Sequence, residues 1–239
     1  MQQSTRYPEL DLLRTVAIVL MVIYHFAFDL RFFYDVPLDV LHGPWLVLQR
    51  ITANLFLLLV GIGAAISLER HRSIRHILRR FVIVAGGALL VTGATYVADP
   101  QSFVRFGILH LIALSALLLP LLSRLREGTI LLGLLTLFAS DAILSVLPPS
   151  VWLIPIGSPP PHFQTVDYFP FLPWFSTILI GYGLGHLLYI RFTLWRDHFP
   201  MLHTQYPIRN TLLWPGRHSL PLYLIHQPLI LLALWMTWK

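Results

Sequence analysis

The chain has no cysteine, a single lysine, and only 12% charged residues among its 239. Without a thiol it can form no disulfide framework, no cysteine metal site and no thioester to the protein, so an acyl intermediate would need another nucleophile. Phosphate-loop, zincin-helix and nucleophile-elbow patterns are missing too, so no soluble-enzyme motif competes for the function. What fills the chain is apolar: 56% of residues are hydrophobic and the mean hydropathy is +0.69. One soluble core of this length cannot hide that much apolar side chain, so lipid is part of the solvent.

The formal charge of +6 comes from 17 basic residues, all but one of them Arg. They lie in short stretches between apolar runs rather than on one face, which fits membrane orientation and not nucleic acid. No linker, low-complexity tract or internal repeat divides the chain, and residues 1–239 read as a single transmembrane domain. The first apolar run holds His25 and Asp29 and no small-residue cleavage site follows it, so this span is expected to stay in the mature protein.

Stretches of about 20 apolar residues can cross hydrocarbon. They fall at 12–31, 48–68, 80–98, 104–122, 128–147, 171–190 and 218–238, which predicts an all-α, polytopic bundle of about seven transmembrane helices. A half-buried segment in 148–170 or 192–217 would add an interfacial helix. Arg6, Arg70, Arg72, Arg75, Arg79, Arg80, Arg124, Arg126, Arg191, Arg196, Arg209 and Arg217 share one side, while Arg31 and Lys239 lie opposite. The positive-inside rule then places the N-terminus in the cytoplasm and the C-terminus outside, in a cell (plasma or inner) membrane. The outer segment 148–170 carries Pro148, Pro149, Pro155, Pro159, Pro160, Pro161 and Pro170, which forbid a continuous helix and suggest a stiff cover.

Ionisable residues inside spans are costly and ordinarily line a cavity or pathway. Arg14 and His25 are eleven positions apart, three turns plus about 20°, and Asp29 lies one turn further, so one face of the first span is a polar track roughly 22 Å long. Arg50, Arg105, His110 and Asp141 fall in the outer halves of their spans, His226 near the middle of the last, and His42 and Asp167 just outside. Together they point to a chamber in the extracytoplasmic half. Singly each has a plainer use: Arg14, Arg50 and Arg105 meeting headgroups, His110 and His226 bonding neighbouring helices, Asp141 capping or pairing. Small residues Gly61, Gly63, Ala64, Ala65 and Ser67, and Gly181, Gly183 and Gly185, read as close helix packing.

Five ordered motifs carry a resemblance: ELDLLRTVAIVLMVIYHFAFDL, ANLFLLLVGIGAAIS, FGILHLIAL, DYFPFLPWF and GRHSLPLYLIHQP. They resemble the bacterial branch of the heparan-α-glucosaminide N-acetyltransferase catalytic-domain family over nearly the whole chain. The resemblance implies transfer of an acetyl group from cytosolic acetyl-CoA, across the membrane, to an amino sugar. It also implies a catalytic His between the first two spans, a position that His42 in His42-Gly43-Pro44-Trp45 matches. Arg14 and His25 are similar to the first-helix Arg and His of the acyltransferase-3 family, so two histidines contend. The chain lacks the lumenal domain of the lysosomal enzymes and has fewer spans, which makes a cell-surface glycan or another periplasmic amine or alcohol the expected acceptor.

Acyl transfer needs a base, oxyanion stabilisation and an anchor for the donor's phosphates. His42 or His25 suits the base, with Asp29 orienting the ring. Arg14, Arg79 and Arg80 suit the phosphates of acetyl-CoA. Arg50, Arg105 and His110 complete the donor side, with Arg50 or Arg105 facing the developing negative charge, and Asp167, His226 and Trp45 are expected near the acceptor. No metal is expected, since no His spacing is a strong ligand pattern. The expected partners are the lipid bilayer, acyl-CoA, an extracytoplasmic saccharide and, in a homo-oligomer, further copies of the chain. The rival reading is a small proton-coupled transporter with His25, Asp29, Asp141 and His226 as its relay.

Overall fold

A computed structural model describes residues 7–70, 73–192 and 207–237. Arg6, Arg72, Arg196 and Lys239 of the charge count lie outside the described residues, as does the side chain of Arg209. Among the described residues the regular structure is helical, apart from one isolated bridge between Phe106 and Tyr168. The α-helices are α1 (Pro8–Phe33), α2 (Gly43–Arg70), α3 (Ile74–Ala98), α4 (Ile108–Leu122), α5 (Thr129–Val146), α6 (Phe171–Gly185), α7 (Pro207–Arg217) and α8 (Ser219–Thr237). Local chemistry sets several ends. Pro8 opens α1 with Glu9 and Asp11 in its first turn, where the backbone dipole favours acids. The Ser73 hydroxyl accepts from His76 N and caps α3.

Among the described residues six stretches are long and apolar enough to cross a membrane: Pro8–Phe33, Gly43–Arg70, Ile74–Ala98, Ile108–Val146, Phe171–Arg191 and Ser219–Thr237. The count of apolar runs is seven, because it divides Ile108–Val146 in two. Here α4 and α5 are joined by the 3-10 turn Ser123–Gly128, in which Arg126 takes the left-handed φ of 50°. Both far ends of this stretch are tied to one loop. Ile108 N donates to Asp167 at the start of α4, and Ser158 Oγ donates to Leu147 O just past α5. The path therefore reverses at the turn. Of the two candidate interfacial segments, 192–217 is helical over its described part 207–217 as α7, with 193–206 outside the described residues, whereas 148–170 holds only the single turn Val151–Leu153.

The chain divides into two compact units, Met1–Leu59 with Leu194–Lys239, and Val60–Thr193. Helix α2 contributes its first half to one and its second half to the other. In the first unit α1 packs on α7 and α8. Asp11 meets Arg217 at the start of α1, and His25 and Asp29 meet His226 and Gln227 further along, so α1 and α8 run parallel. A Cβ on Gly216 would collide with Asp11 O, which makes glycine the residue that lets α7 cross α1 there.

The second unit holds α3 to α6 and the rest of α2. A Cβ on Gly61 would strike Ile178 O and Tyr182 N of α6, and one on Gly185 would press on Ile62 of α2. The small-residue stripes expected to pack closely do so. Gly61→Ala is expected to force the two helices apart at a cost of about 1–3 kcal/mol, an overpacking penalty read as a lower Tm in detergent. An unchanged Tm would show that the helices are not held at this spacing.

Candidate active site

In the first unit the polar face of α1 finds partners on α7 and α8. Arg14 does not stand alone at its start: Nη1 lies 3.1 Å from Asp11 Oδ1, and Arg217 Nε donates to Asp11 Oδ2 at 3.3 Å. One buried carboxylate thus holds two guanidiniums, with a second buried acid, Glu9, in the same turn. The Thr15 hydroxyl adds a clasp, donating to Leu212 O at 2.8 Å and accepting from Gly216 N at 3.0 Å.

Further along, the His25 and His226 rings meet edge to face with centroids 4.7 Å apart. His25 Nδ1 is 2.8 Å from Met21 O, and His226 Nδ1 is 2.6 Å from Tyr223 O. A carbonyl only accepts, so each neutral ring carries its hydrogen on Nδ1 and presents a bare Nε2 lone pair. His226 Nε2 is buried and has no hydrogen-bond partner among the described residues. Asp29, expected to orient the His25 ring, does something else. It is fully buried and accepts from Gln227 Nε2 at 2.6 Å, while its second oxygen has no partner among the described residues. The Met21 carbonyl, one turn back on α1, orients His25 instead.

His42 sits in the loop before α2, exposed, with Nδ1 2.9 Å from Asp39 Oδ1. The carboxylate takes the Nδ1 hydrogen and leaves Nε2 as an open base, the arrangement in which a positioned imidazole accepts a proton. Sequence reasoning missed Asp39, although a carboxylate three residues ahead of the His was there to be read. Trp45 is half-buried in the first turn of α2, and Arg50 is exposed further along the same helix.

The second unit engages its own polar residues. His110 uses both nitrogens: Nδ1 accepts from Gly107 N at 3.2 Å, and Nε2 faces Thr92 Oγ1 at 3.3 Å, whose own hydrogen goes to Val104 O. The ring caps α4 and ties it to α3, leaving no lone pair for a substrate. Arg105 Nη1 donates to Gln164 O, and its guanidinium lies over Phe103 and Phe163 at 4.6 and 5.2 Å, so it clasps the proline-rich segment. Asp141 is exposed on α5, Arg79 is exposed on α3, and Arg80 is half-buried.

Asp167 Oδ2 accepts from Ile108 N at 3.2 Å, holding the same segment to the start of α4. Burial pushes its carboxyl up to about 6, against the smaller opposing pull of that N–H. A folded-state value above the ordinary carboxylate range means the folded protein takes up a proton before the unfolded chain does. Stability is then lowest above pH 6 and rises as pH falls from about 7 toward 4. Asp167→Asn keeps an oxygen for Ile108 N and removes the charge. Its Tm in detergent is expected to exceed that of the wild type by a few degrees at pH 7.5 and to converge with it near pH 4.5. Parallel curves across that range would refute the assignment.

A helical membrane domain whose first helix carries Arg14, His25 and Asp29, with His226 and Gln227 of α8 against the last two, is a polytopic membrane protein with more polar groups in that span than an anchor needs. Residues 6–228 match the model of the heparan-alpha-glucosaminide N-acetyltransferase catalytic family, and the chain belongs to that family. It is a family of membrane acetyltransferases that use acetyl-CoA as donor. No curated relative and no solved structure matches the chain.

Proposed function

We propose that the protein moves an acetyl group from cytosolic acetyl-CoA across the membrane to the amino or hydroxyl group of an extracytoplasmic glycan. The carrying observation is the His42–Asp39 pair, a base already oriented by a carboxylate and open at Nε2. Family membership supplies the reaction class. In this reading Ile108–Val146 crosses twice, the chain makes seven crossings as one functional domain, and its ends lie on opposite sides, with the N-terminus cytoplasmic. The parallel course of α1 and α8 supports opposite ends, and the arginine distribution supports the direction.

His42 removes the acceptor's proton as nitrogen or oxygen attacks the thioester carbonyl, with Trp45 beside it. Arg14, near the start of α1, meets the donor's phosphates. The transporter reading loses support from Asp141, which is exposed on α5.

Purified protein in proteoliposomes, supplied with acetyl-CoA on one side and glucosamine on the other, is expected to form N-acetylglucosamine and free CoA thiol in equal amounts. Solute or proton flux that ignores acetyl-CoA, with no acetylated sugar, would replace this reading with the transporter.

A further inference from the structure

The proline-rich segment between α5 and α6 has an apolar tip that the fold leaves uncovered. Trp152 is 88% exposed, Val151 65% and Val146 79%, with Pro148 and Pro149 exposed between them. Between Asp141 and His162 stand twenty residues without an acidic, basic or imidazole side chain. We propose that this segment is seated in the membrane, with Val151 and Trp152 in the headgroup region of the leaflet at that end of α5 and lipid as their partner. Such a seat holds whether or not acyl transfer is the reaction.

Helix α5 has 18 residues, about 27 Å at 1.5 Å per residue, which is close to the thickness of hydrocarbon. Its last residue, Val146, therefore lies at the hydrocarbon boundary, and the turn Val151–Leu153 begins five residues later. Leu131, Leu135, Phe138, Ala142 and Val146 follow one another at helical spacings of three and four, and all are exposed. They form one lipid-facing stripe of α5, and the apolar tip continues it.

Irregular backbone is costly at that depth, because an amide or carbonyl without water must find a partner in the protein. The segment 148–161 has little left to satisfy. Six of its fourteen residues are proline and carry no N–H. Of the other eight amides, all but that of Val151 donate to oxygens within 150–158. The carbonyls of Ile154, Pro155 and Ile156 accept from Tyr168 Oη, Phe171 N and Leu172 N, which fixes the segment to the start of α6. Both serine hydroxyls are committed: Ser150 Oγ accepts from Trp152 N, and Ser158 Oγ shares its hydrogen between Leu147 O and Pro148 O. The Trp152 side chain has no bonded partner among the described residues. An exposed indole suits the headgroup region, with its ring toward the chains and its N–H toward lipid oxygens.

Because the chain has no cysteine, one introduced thiol takes one label. Trp152→Cys and Val151→Cys, the second keeping the tryptophan, are tagged with an environment-sensitive fluorophore in phosphatidylcholine vesicles, after a check that each elutes as the wild type does. Phe138→Cys on α5 is the lipid reference, and Gln101→Cys, at an exposed position beside Asp99, is the water reference. Nitroxide-bearing lipid quenches a label in the membrane, and iodide quenches one in the buffer. Both tip labels are expected to emit further to the blue than the Gln101 label, to lose most of their intensity to nitroxide and to resist iodide. Their depth is expected to be roughly 5–10 Å into the boundary between headgroups and chains. Where the two variants differ, Val151→Cys decides, since it leaves the tryptophan in place. Tip labels quenched by iodide as strongly as at Gln101, and untouched by nitroxide, overturn the membrane seat. Labels shielded from both quenchers, or unlabelled thiols that join two chains by a disulfide, overturn it in favour of a protein partner.

Discussion

His42→Ala is expected to lower kcat for acetyl transfer by about 10²–10⁴-fold while leaving acetyl-CoA binding within a few-fold, because a positioned general base contributes on that scale. The reasoning starts from one bond. Asp39 Oδ1 lies 2.9 Å from His42 Nδ1, so the ring hydrogen is held on that nitrogen and Nε2 is left free to accept a proton. Removing the ring deletes the base. Among the described residues the ring bonds to Asp39 alone, and the side chain is 77% exposed, so the fold should not notice. Asp39→Asn isolates the tautomer effect: the amide can donate to Nδ1, which moves the hydrogen to Nε2 and blocks the base. A loss of at least about tenfold in kcat is expected from it. Isothermal titration with CoA separates binding from chemistry. An Ala variant that transfers acetyl groups at the wild-type rate would move the base to another residue.

The largest structural effect is expected at Gln227. Its Nε2 gives the fully buried Asp29 the one hydrogen bond found for that carboxylate among the described residues, while the second oxygen is already unpartnered there. Gln227→Leu strips a buried polar group of its donor, which costs about 1–3 kcal/mol. For a chain of this size that lowers Tm by roughly 2–4 °C per kcal/mol. Asp29→Leu with Gln227→Leu removes both polar groups, and the double variant should recover much of the loss, since exchanging both partners for apolar groups is nearly neutral. The coupling energy from the four-member cycle is the measurement. Additive losses would show that the two side chains do not bond.

These effects divide into what the chain's own order supplied and what folding added. Periodicity at 100° per residue is a property of one helix, so the shared face of Arg14, His25 and Asp29 was readable from the order of residues alone. The apolar runs were readable for the same reason, since a bilayer asks only for length and composition. The Gly61 and Gly185 contacts were legible as a class, small residues on two helices, though not which backbone each would touch. The division of Ile108–Val146 was legible too, but only as two lengths; the turn at Arg126 that reverses the path is a backbone feature without an apolar signature.

Hydrogen-bond partners brought from elsewhere in the fold were the part that could not be read. Asp29 seemed placed to orient His25 because one turn separates them, yet Met21 O and Gln227 reached the two groups first. Arg105 and His110 looked like donor-side residues and are held by Gln164, Gly107 and Thr92 instead.

The sequence by itself determined that this is a multi-pass membrane protein with a polar first helix, because hydrophobic length and helical period are local. Only the tertiary structure decided that Arg217 would join Arg14 on Asp11 and that His25 would meet His226. It also decided that Asp29 would be bonded from the last helix. The physical reason is the same in each case: a buried polar group takes whichever partner helix packing brings within about 3 Å, and about 200 residues of chain separate these partners without leaving any local trace.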